Sequence, residues 1–122
     1  MEARRVTQGD VFWVDASGPV GSSPGYPRPC VVVQNDLFNR SRIGTVVTCS
    51  LTTNLRRARD PGNILLAPGE ANLPEQSVVS ISQILTLDKH ELRDFIGTLS
   101  AERVREVLRG INLLLEPRNA RG

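Results

Sequence analysis

The alternation of hydrophobic and polar residues along the chain predicts mainly β-strands. Residues 9–16, GDVFWVDA, alternate and are rich in β-formers. The segment PCVVVQND is typical of a buried strand, and its last residues, Asn35 and Asp36, favour a turn. A third strand is predicted in IGTVVTCSLTT and a short one in NILL. QSVVSISQILTLD indicates one or two strands, and HELRDFIGTLS a turn followed by a short strand.

Helical spacing is clear only near the C-terminus. Ser100 is a good N-cap residue, and Glu102 lies in the first turn, where the helix dipole favours a negative charge. Pro117 should end the helix and leave a frayed tail. The apolar residues that recur at helical spacing are interpreted as core packing: Val104, Val107, Leu108, Ile111 and Leu115. The pattern predicts a mainly β fold, a small antiparallel barrel closed by a C-terminal α-helix.

Three polar segments separate the predicted strands. SGPVGSSPGYP is a long Gly/Pro/Ser-rich loop that contains Tyr26, NLRRARDPGN an arginine-rich turn, and APGEANLPE a further loop. Functional residues tend to lie on such loops. Of the other aromatic residues, Trp13 and Phe95 are predicted to lie in the core.

Length and composition indicate an ordinary globular protein. With 122 residues, 39% hydrophobic and 23% charged, the chain is expected to form a single domain over residues 1–122, with a core from about 9 to 115. It shows neither the apolar segment of a signal peptide nor a run long enough to cross a membrane, so we expect a cytoplasmic protein. Cys30 and Cys49 lie in apolar stretches and are predicted to be buried free thiols.

The net charge of +2 is unevenly distributed. Residues 1–59 carry eight arginines and four carboxylates, whereas residues 60–122 carry seven cations and nine carboxylates. The arginines of the basic half could line a surface that binds phosphates: Arg28, Arg40, Arg42, Arg56, Arg57 and Arg59.

Arg28 is the most unusual of these cations because it lies between Pro27 and Pro29. Each proline fixes its own φ, and Pro29 also disfavours the α conformation for Arg28. The guanidinium therefore extends from a stiff backbone at the entrance to a strand. Solubility alone does not require such rigidity, so Arg28 is a candidate functional residue.

The remaining side chains exclude several kinds of catalysis. His90 is the only histidine and is predicted to lie in an exposed turn, so a pair of histidines cannot act as acid and base within one chain. The carboxylates do not form the cluster of a two-metal nuclease, and neither a phosphate loop nor a GxSxG motif is present. RNA cleavage by the neighbouring 2′-hydroxyl needs no external nucleophile, metal or cofactor. Arg28 could stabilise the phosphorane, and the hydroxyl of Thr52 or Thr53 could align the attack.

The motifs of this chain, in order and spacing, resemble those of the MazF/PemK family of toxin endoribonucleases. They are GDVFWVD, GPVGS, RPCVVVQNDLFN, TVVTCSLTTNL, SVVSISQILTLDK and the final amphipathic helix, and the resemblance extends from about Gly9 to Leu115. It implies an SH3-like barrel and a homodimer. It also implies metal-independent cleavage of single-stranded RNA to 2′,3′-cyclic phosphate and 5′-hydroxyl ends, and a cognate antitoxin that covers the RNA groove.

The resemblance implies that the family's key arginine is Arg28 and its key threonine Thr52. Arg28 suits the stabilisation of the phosphorane better than general acid catalysis, because a guanidinium hardly ever loses its proton. Arg56 and Arg57 are expected to contact phosphates, Tyr26 to stack on a base, and amide side chains to read base edges. The candidate RNA-binding residues are Ser22, Tyr26, Gln34, Asn35, Asn39, Thr53, Arg56, Arg57 and Gln83.

The sequence also departs from the family pattern. Some relatives have a carboxylate in the first long loop, where this chain has Ser22, Ser23 and Pro24. Others have an acidic residue and an arginine where this chain has Ser82 and Leu85. Two alternatives therefore stay open: a protein of the same fold that binds RNA without efficient cleavage, or one that poisons DNA gyrase as CcdB does. CcdB-like proteins usually end in a tryptophan and a glycine. This chain ends in LLEPRNARG, without a tryptophan, which argues against gyrase.

Overall fold

Six strands form one antiparallel sheet in the order β4-β5-β3-β2-β1-β6. The computed structural model describes residues 5–16 and 26–118. The strands are β1 (Asp10–Ala16), β2 (Tyr26–Val32), β3 (Thr45–Thr52), β4 (Ile64–Leu65), β5 (Val78–Asp88) and β6 (Leu92–Thr98). The helices are α1 (Asp36–Asn39) and α2 (Ala101–Leu114), and 3₁₀ turns span Leu55–Arg59, Glu70–Asn72 and Lys89–Glu91. The prediction of a mainly β fold with a C-terminal helix is confirmed.

The sheet curls so that the segment after β4 contacts β6, at the opposite end of the strand order. The Asn72 side-chain amide donates a hydrogen bond to the Ile96 carbonyl at 2.9 Å. Gly97 permits this approach, because a Cβ there would lie 2.1 Å from the Ala71 carbonyl oxygen. The curl gives the sheet its barrel-like form.

Apolar residues alternate between the two faces of the central strands and form two layers. Val11, Val31 and Cys49 belong to the layer that α2 covers through Val107. The opposite layer consists of Val6, Phe12, Val14, Cys30, Val32, Val46 and Leu92.

Helix α2 begins as the sequence predicts. Its N-cap is Ser100, whose hydroxyl accepts a hydrogen bond from the Arg103 N–H at 3.1 Å. In residues 5–16 and 26–118, no helix has the length and apolar character needed to cross a membrane.

Two predicted core residues are exposed. Leu115 is 67% exposed and directly follows α2, whose last two residues, Leu113 and Leu114, are also exposed. Phe95 is 56% exposed on β6, which has a neighbouring strand on one side only; its ring contacts Phe12 edge to face, with centroids 5.5 Å apart. Trp13 is half-buried against the core, as predicted.

The prediction of buried free thiols is confirmed for both cysteines. Burial raises the pKa of Cys30 to about 11. It also raises the pKa of Cys49 to about 12, with a smaller contribution from the neighbouring Cys30. Both groups are therefore protonated at neutral pH.

Candidate functional site

The first half of β2 is paired on one side only, which opens space beside Arg28. β2 pairs with β1 from Tyr26 to Val31, but with β3 only from Cys30 to Val32. Pro27 and Pro29 lack N–H donors, so this half of the strand suits an edge position. The register pairs Cys30 with Ser50, and its continuation by two residues brings Arg28 opposite Thr52.

Arg28 and Thr52 lie where two grooves meet. The first, here called the Trp13 groove, has a volume of about 240 Å³; the second, the Gln83 groove, about 410 Å³. The Trp13 groove is lined by Trp13, Pro27, Arg28, Pro29, Leu51, Thr52, Thr53, Leu73, Pro74, Glu75 and Ser77. The Gln83 groove is lined by Arg28, Ser50, Leu51, Thr52, Asn54, Arg57, Asp60, Asn63, Ser80, Ser82 and Gln83. Both predicted catalytic residues thus line both grooves.

The Thr52 hydroxyl is oriented by the loop that follows β3. Its oxygen accepts a hydrogen bond from the Asn54 N–H at 3.1 Å, so its own O–H proton remains available to donate. The Asn54 side chain in turn accepts from the Arg56 N–H at 3.2 Å and caps the 3₁₀ turn. The Asn63 amide then donates to the Arg57 carbonyl at 2.9 Å and holds the end of this loop.

An irregularity in β5 aims polar side chains into the Gln83 groove. Cys49 pairs with Ile84, whereas the next residue, Ser50, pairs with Ser80, so residues 81–83 of β5 are extra in the register. Such bulges redirect side chains and are common beside active sites. Gln83, predicted from sequence, and Ser82 both lie in this segment and line the groove.

The arginines of the basic half take different positions. Arg57 lines the Gln83 groove and lies 3.5 Å from the Asp60 carboxylate, and both side chains are exposed. Because exposed ion pairs contribute little free energy, Arg57 can exchange Asp60 for a phosphate at small cost. Arg56 is exposed on the same turn but does not line either groove.

Gln34 and Asn39 lie away from both grooves and hold the corner after β2. The Gln34 amide donates to the Asn39 side-chain oxygen at 2.9 Å and to the Thr45 carbonyl at 3.1 Å, and its oxygen accepts from the Val47 N–H at 3.2 Å. Asn39 is buried, and its amide donates to the Gln34 carbonyl at 2.9 Å. Since these groups are engaged within the protein, the geometry does not support base reading by either residue.

Asn35 and Asp36 begin a short helix instead of a simple turn. Asn35 is exposed and caps α1 by accepting the Leu37 N–H at 2.8 Å, and it lines neither groove. Asp36 accepts hydrogen bonds from the Gln8 N–H at 2.7 Å and from the Asn39 amide at 3.0 Å. These hydrogen bonds hold the pKa of Asp36 below its ordinary value, and the one from Gln8 has the largest effect.

The remaining predicted residues have varied positions. Thr53 lines the Trp13 groove. Ser22 lies outside the described residues. Tyr26, predicted to lie in the long loop, is instead the first residue of β2, because the strand begins before the prolines. Leu85, at the place of a family arginine, is 40% exposed and lines neither groove.

Sequence reasoning missed several groove residues because they come from separate segments. Ser50 and Ser80 face each other across β3 and β5, and their signal was a polar residue inside an apolar strand. Trp13, on β1, and Glu75, in the loop before β5, both line the Trp13 groove, and no local sequence pattern indicates that they lie together.

Comparisons with known proteins agree on one family. Residues 7–115 match the family model described as PemK-like, MazF-like toxin of type II toxin-antitoxin system. Endoribonuclease MazF6 of Mycobacterium tuberculosis is 37% identical over 111 residues, 91% of this chain and 97% of that protein. Endoribonuclease MazF of Staphylococcus saprophyticus is 33% identical over 108 residues, 88% and 89% of the two chains. A mycobacterial endoribonuclease, solved in complex with its cognate antitoxin, has the same fold with a TM-score of 0.67 and 24% identity, over 94% of this chain and 95% of that chain.

Proposed function

Because this chain belongs to the PemK-like, MazF-like toxin family of type II toxin-antitoxin systems, we propose that it is an endoribonuclease that cleaves single-stranded RNA without a metal. The observation that carries the proposal is the placement of Arg28 and Thr52 on the wall shared by the two grooves. A phosphate bound there would meet a cation and a hydroxyl donor together. RNA could leave this point in both directions, along the Trp13 groove and along the Gln83 groove.

The reaction uses a nucleophile that the substrate itself carries. The 2′-oxygen attacks the adjacent phosphorus and loses its proton, and the bond from phosphorus to the 5′-oxygen breaks as that oxygen gains a proton. The products are a 2′,3′-cyclic phosphate and a 5′-hydroxyl. Arg28 donates hydrogen bonds to the phosphorane oxygens, where negative charge increases in the transition state.

Thr52 acts beside Arg28 as a hydrogen-bond donor. Since the Asn54 N–H occupies a lone pair of its oxygen, the O–H bond can be directed at a phosphate oxygen or at the 2′-oxygen. Such a contact restricts the substrate to geometries close to in-line attack.

The Gln83 groove suits the sugar-phosphate strand beyond the cleaved bond. Its hydroxyls from Ser50, Ser80 and Ser82 can bind phosphate or 2′-hydroxyl oxygens, and Arg57 adds a positive charge. Gln83 supplies an amide edge for a base. Arg56, exposed on the rim, contributes a salt-sensitive attraction to the backbone.

The same surface is the proposed site of inhibition by a cognate antitoxin. A segment with acidic residues and apolar anchors would complement Arg28, Arg57 and the apolar wall of the Trp13 groove. We further propose a cytoplasmic homodimer in which residues 1–122 of each chain form one domain.

A cleavage assay in EDTA tests the proposal. Wild type and Arg28→Ala are incubated with a long single-stranded RNA, and the product ends are identified by mass spectrometry. We expect cyclic phosphate ends from wild type and a rate on the order of 10²–10³ lower for Arg28→Ala, by analogy with the loss of one oxyanion donor. Thr52→Val should also slow cleavage, because it removes the hydroxyl and preserves the shape.

Arg109→Ala is the matched control, since it removes an exposed arginine from α2, outside both grooves. It should cleave like wild type. Intact RNA with folded wild-type protein would contradict the catalytic proposal. A gel shift without cleavage would then indicate an RNA-binding protein. The absence of both cleavage and a gel shift would direct attention to gyrase. Equal rates for Arg28→Ala and wild type would contradict the role of Arg28.

A further inference from the structure

Glu75 places a carboxylate in the Trp13 groove, which the residues proposed to hold the cleaved phosphate also line. It is exposed and lines the groove together with Arg28 and Thr52. Among residues 5–16 and 26–118, no hydrogen bond or ion pair engages its carboxylate. The lining of this groove includes no other acidic side chain within the described part of the chain.

The backbone that carries Glu75 is fixed on both sides. Pro74 precedes it, and the Ser77 hydroxyl donates to the Glu75 carbonyl at 2.9 Å. The Gln76 amide donates to the Leu66 carbonyl at 2.9 Å, and the Leu66 N–H donates to the Ser77 carbonyl at 3.0 Å. A stiff loop therefore presents a carboxylate that is free to accept hydrogen bonds from a ligand.

The walls of the groove suit a planar base better than a phosphate. Trp13, Pro27, Pro29 and Pro74 provide flat apolar surfaces of the kind on which unstacked bases pack. Of the two charged side chains that line this groove, Arg28 would attract a phosphate and Glu75 would repel one. A nucleotide would thus lie with its phosphate at Arg28 and its base directed toward Glu75.

A carboxylate also discriminates among bases, because its two oxygens only accept hydrogen bonds. The Watson-Crick edge of guanine offers two adjacent donors, N1–H and the exocyclic amino group. Cytosine and adenine present an amino group beside an acceptor nitrogen, and uracil presents one N–H between two carbonyl oxygens. Guanine is therefore the base that can satisfy both carboxylate oxygens.

We propose that Glu75 is a specificity-determining residue that selects guanine at the nucleotide whose base enters the Trp13 groove, beside the cleaved phosphate. The inference rests on the proposed function, since it assigns a base to the same site. It also adds a base-recognition residue in the loop before β5, where the sequence analysis identified no candidate.

Two measurements compare wild type with Glu75→Gln, in which one acceptor is replaced by a donor and the shape is preserved. In the first, cleavage sites on a long RNA are sequenced, and kcat/KM is measured for a short RNA with guanine or inosine at the enriched position. Inosine lacks only the exocyclic amino group. Wild type should prefer guanine over inosine by about tenfold to a hundredfold, the usual value of one hydrogen bond to a charged group, and Glu75→Gln should lose most of this preference.

In the second measurement, RNA is selected by binding from a randomised pool of 2′-fluoro RNA, which lacks the 2′-hydroxyl nucleophile and cannot be cleaved. Guanine should be enriched at one position by wild type and not by Glu75→Gln. Because this measurement does not depend on cleavage, it separates a failure of this inference from a failure of the proposed nuclease activity. Glu116→Gln, an exposed carboxylate outside both grooves, is the control and should keep the wild-type profile.

Either of two results would overturn the inference. The first is a set of wild-type cleavage sites without an enriched guanine, and the second is an unchanged guanine preference in Glu75→Gln. An equal loss of rate for all sequences in Glu75→Gln would point to general base catalysis and would likewise reject selection by Glu75.

Discussion

Replacement of Asn39 by alanine should lower the stability of the protein and leave RNA recognition intact. Asn39 is 8% exposed, and its side chain makes three hydrogen bonds: to the Gln34 carbonyl at 2.9 Å, to Asp36 at 3.0 Å and from the Gln34 amide at 2.9 Å. Each such bond contributes about 1 kcal/mol, and the loss leaves partly buried partners without a donor or acceptor. We therefore expect a decrease of about 2–4 kcal/mol in the free energy of unfolding.

Urea denaturation measures this decrease directly. With an m-value of about 2 kcal/mol/M, the midpoint should fall by about 1–2 M while the slope is unchanged. Leu37→Ala on the same short helix is the control, because Leu37 is 75% exposed and its removal should change stability by less than about 0.5 kcal/mol. Cleavage sites on RNA are mapped in parallel, at a temperature where Asn39→Ala is folded.

The sequence suggested the opposite role for Asn39, as a residue that reads bases. A stable Asn39→Ala protein with altered cleavage sites would restore that interpretation and refute the structural reasoning. Reduced stability with unchanged cleavage sites would confirm that Asn39 serves the corner after β2.

Three further predictions concern packing, pH and the thiols. Gly110→Ala should lower stability by about 1–3 kcal/mol in thermal unfolding, because the new Cβ would lie 2.5 Å from the Gly62 carbonyl oxygen. Gly44→Ala is the control and should not lower stability, since a Cβ there would have nothing within 4 Å. Equal effects of the two substitutions would contradict tight packing of α2. Burial alone would raise the pKa of Glu70, but hydrogen bonds from Arg103 and from the Ala67 N–H outweigh it and lower the pKa. The advantage of wild type over Glu70→Gln should therefore be full at neutral pH and shrink as the pH falls below about 4, and a difference independent of pH would argue against this ion pair. Cys30 and Cys49 should react slowly with a thiol reagent at pH 8 until urea unfolds the protein, since burial raises their pKa values to about 11 and about 12; fast reaction of the native protein would indicate exposed thiols.

The sequence by itself determined the strands, the C-terminal helix and the most prominent cation. Alternation and helical spacing are local patterns, and Ser100 and Pro117 mark the helix through interactions with their own neighbours. Arg28 could be singled out because its two prolines act on the adjacent backbone. The motifs around it also sufficed to indicate the family.

Only the tertiary structure decided which residues share a groove. Glu75, Trp13 and Arg28 come from three separate segments and line one groove, and Ser82 and Gln83 line the second groove where β5 bulges opposite Ser50. Conversely, Gln34 and Asn39 were expected to read bases, but hydrogen bonds across the corner engage their amides. An amide has the same hydrogen-bonding capacity on a surface and in a corner, so its role depends on which partners the fold brings within reach.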